Sequence, residues 1–269
     1  MRLMKRILSA AAVLALSASL LVGCSSGTAS SVPVSASSAA ESTVSSVEET
    51  ASSAVDENEA AAAQLLNDLT GSYQELWPVI LADEYKQTWL DDCTALVGEE
   101  NAEAAFEKLS SMVTSDVYGE DAVEAYANGG GAYFCGFTNS LATLTFDGET
   151  STISGTDKDG NVLFSHTYHY IGMEPVHGLY EFESDDADSG EFTYFFLAPD
   201  TSAETYHIEF RYGSDAEALS QYDAGEYAYW VASGISTDCD QTMIDNCIEL
   251  FCTETVSYTH LRAHETSAH

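Results

Sequence analysis

Thr205-Tyr-His-Ile-Glu-Phe-Arg-Tyr212 alternates without a break. Tyr206, Ile208, Phe210 and Tyr212 take one side and Thr205, His207, Glu209 and Arg211 the other, the period-two pattern of a strand with one apolar face. Upstream, residues 141–146 run into Asp147-Gly148, and residues 151–154 run into Asp157-Lys-Asp-Gly-Asn161. Residues 162–171 end at Met173-Glu-Pro175, residues 178–184 at an Asp-rich loop, and residues 191–197 at Ala198-Pro199-Asp200. Six strands with short connections predict an antiparallel meander. Extended segments at 132–137 and 227–231 bring the number to about eight, which closes a small up-and-down barrel.

Helices flank this series. Tyr85, Trp89, Cys93, Leu96 and Val97 recur at helical spacing, as do Phe106, Leu109, Met112 and Val113. Gly71 and Pro78 interrupt the chain around 72–77, and Gly129-Gly130-Gly131 marks the change from helical to strand period. Ser214 with Glu217 reads as a capping box. Thr237 precedes a helix whose Met243, Ile244, Cys247, Ile248 and Phe251 share one face. The expected class is α+β: mainly β, an antiparallel up-and-down barrel with flanking N- and C-terminal helices.

Composition narrows the function. The chain has 269 residues and a formal net charge of −36, and only Lys86, Lys108, Lys158 and Arg211 are basic between residues 25 and 255. Such a chain has no basic patch for phosphate, so nucleic acid is excluded as a partner. An aromatic content of 11% is too high for a wholly disordered acidic chain and requires a core. Residues 1–24 have a basic start (Arg2, Lys5, Arg6), an apolar run and Leu21-Val22-Gly23-Cys24, which resembles a bacterial lipoprotein signal with Cys24 as the lipidated residue. Residues 25–58, rich in Ser, Ala and Glu, read as a flexible tether, and the domain spans 59–255. Val256-Ser-Tyr-Thr-His-Leu-Arg-Ala-His-Glu-Thr266 resembles a translated sequencing adaptor, so 256–269 are read as foreign to the protein and their histidines are discounted.

The polar row of the opening strand offers two readings. On an ordinary sheet it faces water; at a barrel mouth an imidazole and a carboxylate two residues apart both reach one metal ion. His166 lies among Val162, Phe164, Tyr168 and Tyr170 and reads as a hydrogen-bonded core histidine. The Asp157–Asn161 run lacks the downstream Glu of a calcium loop and reads as a turn. No Cys-x-x-Cys, Gly-x-Ser-x-Gly, P-loop or dinucleotide fingerprint occurs, and no nucleophile accompanies the His/Glu pair, so an enzyme is not expected. Five cysteines follow Cys24. On a regular helix Cys239 and Cys247 would lie roughly 12 Å apart, and Cys247 and Cys252 roughly 7.5 Å, beyond disulfide reach. Cys93 with Cys135 is the first pair to consider.

Leu66-Asn-Asp-Leu-Thr-Gly-Ser-Tyr-Gln-Glu-Leu-Trp-Pro78 resembles the opening motif of the ZinT/YodA family. Phe192-Thr-Tyr-Phe-Phe-Leu-Ala-Pro199 and His207-Ile-Glu-Phe-Arg-Tyr-Gly213 resemble its central strands, and Tyr227-Ala-Tyr-Trp230 with the last helix its C-terminal portion. The stretch from Asp91 to Gly136 is poorly matched. The resemblance implies a calycin (lipocalin-like) barrel, exported, that binds zinc and buffers it or passes it to a metal-uptake transporter component. It implies a metal site in which the family's His-x-His pair reads His207-x-Glu209 and a third histidine position is Phe195. His169, His177, Glu181 or a water would then complete the ligands. Ser184 stands where the family has one cysteine of a disulfide. The resulting expectation is a non-enzymatic zinc- or divalent-metal-binding protein, held to the outer face of the bacterial cytoplasmic membrane by lipidated Cys24. The alternative is a calycin module for a small apolar ligand or a surface contact that has lost the metal site, motivated by Phe195 between Tyr194 and Phe196.

Overall fold

The computed structural model describes residues 57–128, 131–199 and 207–265. Cys24 and the stretch that leads to it lie outside these, as do Thr205 and Tyr206. The chain divides into two units, 1–61 and 62–269. Of the first, residues 57–61 are described and are helical.

In the second unit, helical residues 62–68 (α1) are followed by β1 (Gly71–Glu75), α2 (Leu76–Ile80), α3 (Lys86–Val97), α4 (Glu99–Val113) and α5 (Glu120–Ala127). Then come β2 (Thr143–Asp147), β3 (Thr152–Thr156), β4 (Val162–Met173), β5 (Tyr180–Ser184), β6 (Tyr194–Leu197) and β7 (His207–Gly213). The short α6 (Ala216–Leu219), β8 (Ala232–Ser236) and α7 (Gln241–Glu265) complete the order. The strands pair antiparallel in sequence order, and β1 pairs with β8 through Tyr73↔Ser236 and Glu75↔Gly234, so the barrel is closed. Closure leaves no unpaired strand edge, the usual liability of a sheet.

Two of the eight strands differ from the sequence reading. Residues 132–137 contribute only isolated bridges from Phe134 to Thr114 and Trp230, and residues 227–231 form no strand. Tyr229 has a φ of 57°, which breaks the extended run that its aromatic neighbours implied. Their places in the ring are taken by β1 and β8. The first helical turn after β7 also differs: Asp215, not Ser214, is the cap and accepts from the Ala218 N–H, while the Ser214 hydroxyl donates to Glu191. Asp240 caps α7, accepting from the Met243 N–H at 3.0 Å. Residues 190–192 form a 3-10 turn, so the strand read from 191 begins at Tyr194.

The barrel interior is aromatic. Phe146, Phe164, Tyr168, Phe182, Phe195, Phe210 and Tyr212 are buried in one cluster, which Leu65, Leu66 and Leu69 of the opening segment join. Tyr212 and Trp230 meet edge to face at 5.0 Å, a favoured geometry for rings. Gly155 makes room for this packing, because a Cβ there would lie 2.4 Å from both Leu141 and Phe164.

A second cluster lies outside the sheet. Trp89 and Cys93, one helical turn apart, present the buried face of α3, and Ile244, Cys247, Ile248, Phe251 and Cys252 present that of α7. Gly98, at a φ of 83°, stops α3 and caps it through its N–H to the Thr94 carbonyl, so that α4 can turn back against α3. Trp77 and Ile235 connect these helices to the barrel wall. The helices predicted from residues 85–97 and 106–113 are therefore present as α3 and α4.

Candidate functional site

The two rows of β7 lie on opposite sides of the barrel wall. Ile208, Phe210 and Tyr212 point into the barrel, and His207, Glu209 and Arg211 point outward. The outward row does not meet bulk water. His207 is 9% exposed and lies opposite Ile235, with its ring 5.4 Å from that of Phe251 on α7. Burial pushes its pKa down to about 4, which leaves a neutral imidazole at physiological pH. Glu209, half-buried, lies opposite Ser233, whose N–H donates to the Cys135 carbonyl at 3.0 Å. The Cys135 thiol is raised by burial first and by the Glu209 charge second, which places the carboxylate near that sulfur.

Arg211 is fully buried and structural. Its guanidinium donates to the carbonyls of Leu219 and Tyr227 and lies 4.1 Å from the Tyr222 ring centre. One side chain thereby holds the 214–230 segment against β7. Charge-assisted bonds of this kind are among the stronger ones available, and truncating a buried charge strands its partners.

His177 lies on the turn after β4 and joins the same buried patch. Its ring sits 3.8 Å from that of Tyr222, and its Nδ1 is 3.2 Å from an oxygen of the fully buried Glu174. The Glu174 carboxylate accepts the backbone N–H groups of Val176 and His177 at 3.0 and 2.5 Å. Desolvation lowers the His177 pKa, against the opposing pull of Glu174. Glu181 is raised by burial and by Glu174, so three ionisable side chains are crowded here beside Arg211. The His177 ring is enclosed by Tyr222 and Glu174, yet both of its buried nitrogens lack a hydrogen-bond partner among the described residues.

His169 is in a third place. Its ring is about half exposed on β4, with Nδ1 2.7 Å from Asp185 and Nε2 3.9 Å from Glu183. The two carboxylates approach opposite nitrogens, so they cannot share an ion bound at either one. His166, read as a core histidine, is only partly buried: it stacks on Phe164 and bonds Asp186 at 2.7 Å. The Asp157–Asn161 run is a turn held by Asp157, which accepts from the N–H groups of Asp159 and Asn161.

Of the five candidate ligands, His207 and Glu209 share one outer face, His177 and Glu181 lie beside Glu174, and His169 pairs with Asp185. Among the described residues no three His, Cys, Asp or Glu side chains are arranged to hold a metal ion. Phe195 explains part of this. It is sealed inside the barrel between Phe164, Tyr168, Phe210 and Tyr212, so its position and the His207/Glu209 pair are on opposite sides of the sheet. The donors present are a nitrogen and an oxygen, fewer than the three or four of a closed zinc site. Sequence reasoning missed Phe251, Cys135 and Ser233 around the pair, because each comes from a distant segment.

No protein-family model and no curated protein matches the chain. Among the solved structures, two show similarity at low identity as follows. One is the Zn(II)-bound ZinT-like domain of Streptococcus pneumoniae AdcA, with 15% identity, a TM-score of 0.44, and coverage of 68% of this chain and 89% of that one. The other is Zn(II)-bound AdcA from the same organism, with 15% identity, a TM-score of 0.39, and coverage of 69% of this chain and 35% of that one. The closed eight-stranded antiparallel barrel with flanking helices is the fold class that the strand alternation predicts.

Proposed function

We propose that this protein binds a divalent metal ion, zinc foremost, through His207 and Glu209, and that it buffers the ion or passes it on rather than storing it. The observation that carries this reading is the shared outward face of the two side chains, with the imidazole kept by burial in the neutral form that ligates a metal. Two protein donors leave coordination positions open, which favours exchange over tight retention. Zinc calorimetry on the full chain tests it: His207→Ala should reduce affinity at least tenfold. Equal binding by both proteins, or none by either, would sink the assignment.

The same reading takes the protein to be exported and tethered by lipid on Cys24, with a metal-uptake component as the recipient. The basic start, the apolar run and Gly23-Cys24 support it. Cys24→Ser should then move the protein from the membrane fraction to the medium; an unchanged distribution would count against the anchor.

A second reading, a calycin module without metal, is favoured by one feature: Phe195 is locked among four rings where the family places a histidine. The absence of zinc binding in the unmutated chain is the outcome that selects it.

A further inference from the structure

We propose that Cys93 and Cys252 form a disulfide, a covalent staple between α3 and α7 that holds α7 in place over His207. Their sulfurs are 3.6 Å apart, both side chains are buried, and 159 residues separate them in the sequence. A disulfide needs the sulfurs at about 2.05 Å, so they must close by roughly 1.5 Å. The pair differs from Cys93 with Cys135, the first pair considered from the sequence, since Cys135 lies instead beside Ser233 and Trp77. All five described cysteines are unbonded thiols in the structure.

The chemistry balances with a small disulfide, such as oxidised glutathione, as the oxidant. One cysteine thiolate attacks it, forming a mixed disulfide and releasing one small thiol; the second cysteine then displaces the other. Two protein thiols lose two protons and two electrons, and the oxidant becomes two thiols. Burial raises the pKa of both cysteines, so thiolate is scarce once α7 has docked. Exchange therefore runs while the helix is still loose, and the finished bond is sheltered from reductant.

The position gives the bond a further role. Cys252 follows Phe251, whose ring covers His207. In the oxidised protein that turn of α7 is fixed against α3; in the reduced protein it can lift and expose the His207/Glu209 face. The bond itself is independent of the metal-binding proposal, while its gating role rests on that proposal.

The test is refolding of the full chain in a glutathione redox mixture, followed by non-reducing peptide mapping after cleavage at glutamate. The expected product links Cys93 to Cys252, and oxidation should raise Tm by roughly 5–10 °C, as a long-loop disulfide does in a domain of this size. Neither Cys93→Ser nor Cys252→Ser should show that rise. No linkage, linkage of either residue to Cys135, Cys239 or Cys247, or an equal rise in the serine variants overturns the staple. Acylation of His207 by diethyl pyrocarbonate should be several-fold slower in the oxidised form, and equal rates overturn the covering role. None of these readouts needs metal, so a failure of zinc binding leaves them intact and the two proposals can fail separately.

Discussion

The inside and the outside of the barrel wall are both buried, yet they are built on different chemistry. Inside, rings pack on rings, with Phe195 touching Phe164, Tyr168, Phe210 and Tyr212, and the few polar atoms are local anchors such as the Tyr212 hydroxyl, which donates to the Thr138 carbonyl. Outside, under α7 and the 214–230 segment, His207, Arg211, Glu174 and His177 are excluded from water among apolar neighbours. A wholly apolar outer layer would pack at least as stably, because buried ionic groups often contribute little net stability. The interior thus accounts for the fold, and the outer layer is where charge has been retained.

Two experiments sharpen that contrast. Phe195→Ala, which empties a ring-lined site that cannot collapse, should cost about 3–5 kcal/mol in urea denaturation. It should do so at every pH from 4 to 8. A loss below about 1 kcal/mol would mean that the interior is loosely filled. The outer layer should instead report through pH. His207 titrates at about 4 in the folded protein and near 6.5 when unfolded, so the unfolded chain takes up the proton first as pH falls. The stability tied to the neutral ring is fully present above pH 6.5 and is lost between 6.5 and about 4, by up to about 3 kcal/mol in metal-free protein. Denaturation across that range, compared with His207→Phe, isolates the slope; identical slopes would place the titration elsewhere.

Much of the wall was legible because its alternation is strong. β4, β6 and β7 carry an aromatic or β-branched residue at most inward positions, and each was found in place. β1 and β8 were not, for a physical reason. Gly71-Ser-Tyr-Gln-Glu75 and Ala232-Ser-Gly-Ile-Ser236 are short, small and polar, and they are strands because tertiary pairing with each other and with β2 and β7 makes them so. Tyr227–Trp230 showed the reverse, with aromatic content but a backbone that turns at Tyr229. At the candidate site, the spacing of His207 and Glu209 revealed their common face. That α7 would cover it depends on a contact between His207 and Phe251, and the approach of Cys252 to Cys93 spans 159 residues; no local pattern encodes either.

Closure of the ring has a kinetic consequence. The seam joins β1, near the start of the domain, to β8, near its end, so the last pair of edges to meet is also nearly the most distant in sequence. Such non-local pairing slows folding, since a long loop must be closed before its contacts can compensate. Until residue 236 is available, β1 and β7 each present an open edge. A chain synthesised from its N-terminus therefore stays incompletely folded for almost its whole length, which makes shortened chains prone to edge-to-edge aggregation.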